Sequence, residues 1–130
     1  MNLLFKSFAA IFPAALLLAC SNATDQGGYT DWASPVVAQT VTAKTLSSVS
    51  FLAHAAWGNS CGRFSRAVVA KNGSVYSIKI LGKQPKDAVC LAVVIAFEAP
   101  VTIGIFSPGT YTFKFWQSDS TTLDTPLTVP

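Results

Sequence analysis

His54 is the only histidine in the chain, and imidazole is the side chain best suited to move a proton or bind a metal near neutral pH. It stands in Ala53-His54-Ala55-Ala56-Trp57. A triad would add a nucleophile held in a strained turn and an acid to orient the imidazole, and no G-x-S-x-G or similar context for that nucleophile is expected. Zinc or copper sites draw on several His, Cys or Met ligands, yet the only methionine is Met1. His54 therefore reads as structural or exposed, and a hydrolase or metal-dependent enzyme built on it is the lesser alternative. No cofactor and no metal are expected.

The carboxylates are few. Asp25, Asp31, Asp119 and Asp124 lie towards the ends, leaving Asp87 and Glu98 in the body. Ala88 to Phe97 is nearly continuous apolar sequence with Val89, Val93, Val94 and Ile95 β-branched, which favours a strand buried on both faces. Asp87 and Glu98 would then cap opposite ends of that strand. Ten residues at about 3.3 Å each put them beyond the ~5–10 Å that a glycosidase pair uses.

Basic residues give one sharper expectation. Asn72-Gly73 supplies the two positive-φ positions of a type I′ hairpin turn. A two-residue loop there pairs Val69 with Tyr76, Ala67 with Ile78 and Ser65 with Ile80 on one apolar face. On the other face Arg66 falls opposite Lys79. Like charges directly opposite are unfavourable, so Arg66 and Lys79 form a candidate anion patch for lipid phosphate or acidic glycan, the alternative being two side chains splayed into water. Phe64 and Leu81 lie on that outer face with the cations, and Trp116 lies on the outer face of its own strand, as a partner surface or as cover for a second sheet.

The elements that must carry these residues are strands. Val36–Thr42 reads as an early strand, and Leu46–Trp57 as a strand or a short helix. After Ala99-Pro100, Val101, Ile103 and Ile105 alternate with smaller residues. Tyr111, Phe113 and Phe115 point one way while Thr112, Lys114 and Trp116 point the other, as in a half-buried strand. Leu127 and Val129 suggest a last edge strand. About seven short strands with regular turns predict an all-β protein, a small β-sandwich of Ig-like architecture. The Ig sequence signature is missing, because Trp32, Trp57 and Trp116 all lie outside Cys61–Cys90.

The N-terminus reads as an export signal: Lys6 supplies the positive charge and Phe8 to Leu18 an apolar stretch too short to span a bilayer. Its end, Leu17-Leu18-Ala19-Cys20, resembles the lipobox of bacterial lipoproteins. The resemblance implies cleavage before Cys20 by signal peptidase II and acylation of Cys20, the lipid attachment residue. Ser21 beside it resembles the sorting context for the outer membrane, if the cell has two. The alternative is ordinary secretion with cleavage after Ala23, giving a soluble periplasmic or secreted domain. The expected organisation is a signal peptide over 1–19, a lipidated N-terminus and flexible tether over 20–34, and one domain over 35–130.

Loss of Lys6 from the nine cations leaves eight against six carboxylates, too weak an excess to invoke nucleic acid. With Cys20 lipidated, Cys61 and Cys90 remain, and in an oxidising compartment a disulfide between them is the default; a redox or catalytic thiol is the alternative. These residues lead to a membrane-anchored, non-catalytic module that binds an envelope protein, an acidic glycan or lipid, or supports an envelope assembly. The alternative is an enzyme inhibitor or envelope-stress lipoprotein presenting a loop such as Leu81–Asp87.

Overall fold

The computed structural model describes residues 28–105 and 107–130. The candidate signal, the lipobox and Cys20 lie outside the described residues. The fold is all-β, a sandwich of eight strands: β1 (Tyr29–Ser34), β2 (Val36–Lys44), β3 (Ser48–Trp57), β4 (Arg63–Asn72), β5 (Val75–Pro85), β6 (Ile95–Gly104), β7 (Gly109–Ser118) and β8 (Thr121–Val129). One sheet is ordered β2-β3-β6, and the other holds β1, β4, β5, β7 and β8. Among the described residues no helix is long and apolar enough to cross a membrane.

Strand β3 alternates buried and half-buried residues over its whole length, so its period of two settles the strand-or-helix choice for Leu46–Trp57. Val49, Phe51, Ala53, Ala55 and Trp57 face inward, opposed by Tyr76, Ile78 and Ile80 of β5 and by Tyr111, Phe113 and Phe115 of β7. Phe51 packs against Phe113 and Phe115 at 4.8 and 5.2 Å between ring centroids. Such pairs add about 0.5–1.5 kcal/mol each beyond their buried area. The Tyr111 hydroxyl donates to the Ser107 carbonyl four residues upstream at 2.7 Å, the bond a tyrosine corner makes.

The segment read as a tether enters the sandwich earlier than expected. Tyr29–Ser34 is strand β1, antiparallel to the end of β5 from Tyr29↔Pro85 to Ser34↔Ile80. Pro35, which has no N–H to give a ladder, marks the crossing to β2 in the other sheet, and its carbonyl accepts from Ala56 N–H at 2.8 Å. Farther along the same edge of β5, Val75–Ile78 pairs in parallel with Thr112–Phe115.

Two expectations about strands are overturned. Residues 88–94 form no strand; Val89, Leu91, Val93 and Val94 are exposed, and β6 begins only at Ile95. With that strand goes the argument that set Asp87 and Glu98 apart. Ala99-Pro100, after which the sequence suggested a new strand, does not interrupt the strand either. Both lie inside β6, whose position at the edge of its sheet tolerates a residue without an N–H.

Candidate functional site

The hairpin decides where the cations stand. Its turn falls on Gly73-Ser74, pairing Asn72 with Val75, Val69 with Ile78, Ala67 with Ile80, Val68 with Lys79 and Arg66 with Leu81. The expected turn on Asn72-Gly73 would place an asparagine at positive φ. In the structure only Gly73 of this hairpin takes that conformation, with φ 60°, and no described non-glycine residue does; that fits a type II′ turn. Partners move by two positions, so each residue keeps its face, but Arg66 is not opposite Lys79. A bulge at Ser65, between Phe64↔Gly82 and Arg66↔Leu81, also turns Phe64 inward against the core.

The predicted pair therefore separates. Arg66 Nη1 meets Asp31 Oδ2 of β1 at 2.9 Å, and the Ser65 hydroxyl donates to the same oxygen at 3.1 Å. Lys79 instead lies over the Trp116 ring, its Nζ 5.4 Å from the centroid. The parallel pairing of β5 with β7 brings Trp116 there, since Ile78↔Phe115 is the last matched pair and the next residues of both strands point outward.

Around Lys79 and Trp116 the outer face of the larger sheet is concave. Val68 and Ala70 of the edge strand β4, Ser77 and Lys79 of β5, Lys114 and Trp116 of β7 and Thr122 of β8 line a groove of about 350 Å³. Apolar floor, aromatic wall, two hydroxyls and two ammonium groups converge there. Lys114 Nζ is 3.2 Å from Asp124 Oδ2. The Thr122 hydroxyl bonded to Asp124, and then Lys114, hold that carboxyl below its usual range. Among the described residues Lys79 makes no ion pair, so of the two groove ammonium groups its charge is the one left to a ligand.

A second cleft is already satisfied. Trp57 Nε1 and Asn59 Nδ2 both donate to Gln84 Oε1, at 2.9 and 2.6 Å, and Trp32 covers Trp57 at 5.3 Å. Trp57 fits because Gly62 and Gly82 carry no side chain; a Cβ on either would stand 2.0 or 2.4 Å from the indole.

Other candidates resolve as follows. His54 pairs with Ala38 on one side and Glu98 on the other, a juxtaposition the sequence reading missed. Among the described residues no group of three or more His, Cys, Asp or Glu could hold a metal. Against the expectation of no such motif, Gly58-Asn59-Ser60-Cys61-Gly62 spells G-x-S-x-G. Here the pattern joins β3 to β4 instead of a strand to a helix, the context that a nucleophile elbow requires. Ser60 Oγ accepts the Leu91 N–H at 2.8 Å. Cys61 and Cys90 form a disulfide, their Cα atoms 5.5 Å apart. The expected loop Leu81–Asp87 is mostly strand, because β5 runs to Pro85 between β1 and β4.

Comparison with curated proteins found no match, and comparison with solved structures found none. The sequence model of the ORF11 β-sandwich domain matches residues 52–125, from within β3 through most of β8 and including every residue of the groove. That is more than half of the chain, which accordingly belongs to the ORF11 β-sandwich domain family.

Proposed function

We propose that this protein is a lipid-anchored lipoprotein of the cell envelope whose β-sandwich is a non-catalytic binding module for an acidic glycan. The groove carries the reading: Trp116 gives an apolar wall for a sugar ring, Ser77 offers a hydroxyl, and Lys79, the groove ammonium group without an ion pair among the described residues, meets a carboxylate. The anchor is Cys20, supported by the lipobox Leu17-Leu18-Ala19-Cys20, and Ser21 supports the outer membrane in a two-membrane cell. The Arg66–Lys79 anion patch is reduced to Lys79, since Arg66 is engaged by Asp31 and Lys114 by Asp124.

The test is a calorimetric titration with a uronic-acid oligosaccharide and its neutral counterpart. The acidic ligand is expected to bind more tightly. Trp116→Ala should weaken binding about tenfold, equivalent to an aromatic contact of about 1.4 kcal/mol, and Lys79→Gln by about fivefold. Equal affinity for both oligosaccharides, or affinity indifferent to Trp116→Ala, would rule out the groove as the site.

A further inference from the structure

Hydrophobic side chains in a loop ordinarily turn inward, and those of residues 88–94 do the reverse. Val89 is 100% exposed, Leu91 69%, Val93 49% and Val94 77%. The loop is nonetheless held. Cys90 is bridged to Cys61, Ser60 and Leu91 exchange hydrogen bonds at 3.0 and 2.8 Å, and Val93 N–H donates to the Leu91 carbonyl at 2.9 Å. Its backbone is thus fixed against the β3–β4 turn while four apolar side chains between Val89 and Val94 stay exposed, as at an interaction surface.

What covers it is indicated by its neighbours. The Lys86 N–H donates to the Gly28 carbonyl at 3.2 Å, so the described chain begins beside this loop. Cys20 is only eight residues upstream of Gly28, a span of at most about 28 Å if fully extended. The same end is basic and aromatic. Tyr29 lies between Arg63 and Lys83, 4.9 and 4.8 Å from its ring centroid. With Lys86 these put three cations at this end beside Asp87, while Arg66 is paired with Asp31 and Asp119 sits in the β7–β8 turn. An apolar tip, an interfacial aromatic and a basic collar suit an anionic bilayer.

We infer that the disulfide-tied loop inserts Val89, Leu91, Val93 and Val94 into the facing leaflet of an anionic membrane, with Arg63, Lys83 and Lys86 on the head groups. This orients the sandwich end-on, so that the groove faces sideways above the surface instead of against it. The orientation rests on the lipoprotein reading of Cys20; insertion of the loop does not.

The experiment reconstitutes the full mature protein in vesicles of zwitterionic lipid with and without anionic lipid, their acyl chains brominated. Leu91→Trp places a fluorescent reporter in the loop, and Leu46→Trp places one in the exposed β2–β3 turn at the opposite end. The emission added by the loop reporter should be blue-shifted and quenched by the brominated chains, and that added by the turn reporter should not. Replacing Arg63, Lys83 and Lys86 together with Gln should reduce quenching in anionic vesicles only. Equal behaviour of the two reporters would overturn the inference. If the protein proves to carry no lipid, the same chain is sedimented with anionic vesicles. Binding lost at least tenfold in Leu91→Asp would sustain loop insertion without the anchor, and binding unchanged by it would end the proposal.

Discussion

Trp57 shows how much of this fold turns on single side chains. Its indole lies 6% exposed at the end of β3, its N–H is spent on Gln84, and its faces fill spaces left by Gly62 and Gly82. Gly82→Ala drives a methyl into that ring, with Ser34 Oγ at 2.7 Å leaving no other direction to yield. Overpacking of this kind typically costs about 1–3 kcal/mol, which should appear as a lowered urea midpoint with an unchanged slope. Gly58→Ala, where a Cβ meets nothing within 4 Å, should leave stability within about 0.5 kcal/mol of wild type. A sequence marks Trp57 as a large apolar residue but not its glycines, which come from a turn and from a neighbouring strand. The groove is hidden in the same way. Trp116 is legible as an outward residue and Lys79 as an outward cation, but only the β5–β7 pairing sets one over the other.

At the scale of elements, alternation is the reliable signal. The inward set of β7 and the last strand β8 both follow from period-two patterns. Two failures have physical causes. The hairpin register differs because a single glycine serves a type II′ turn, and shifting pairs by two leaves the apolar pattern on the same face; hydrophobicity alone does not tell the two registers apart. The run 88–94 reads as buried because apolar β-branched residues normally are, whereas the Cys61–Cys90 bridge and the Ser60–Leu91 bonds hold it outside. The bridge closes a separation of 29 residues, for which chain entropy assigns roughly 3–4 kcal/mol. Reducing it should lower stability by about that amount in urea titrations with and without reductant. Amide exchange at Leu91 and Val93 should accelerate while the amides of Phe113 and Phe115 stay protected at native temperature. Loss of protection across β7 as well would mean that the bridge holds the core and not merely the loop.

For the whole molecule, the sandwich has two unlike ends and one concave face. One end gathers Gly28, the apolar loop and the cations around Tyr29; the other carries the Lys44–Ser48, Asn72–Val75 and Gly104–Gly109 turns. The groove lies on the outer face between them. A chain held at the first end by acyl chains would keep that groove clear of the bilayer and open to envelope polymers. Composition foreshadows part of this, since an excess of three cations over carboxylates looks featureless until the fold collects the charges. The short stretch from Cys20 to Gly28 would limit how far the body stands from an anchor at Cys20.

Intact-mass and N-terminal peptide spectrometry on the protein purified from its own envelope tests that claim most directly. The account predicts a chain beginning at Cys20, with acyl chains on that residue and Cys61 and Cys90 oxidised. A chain beginning at Thr24 without lipid, or one that keeps Met1–Ala19, would contradict it.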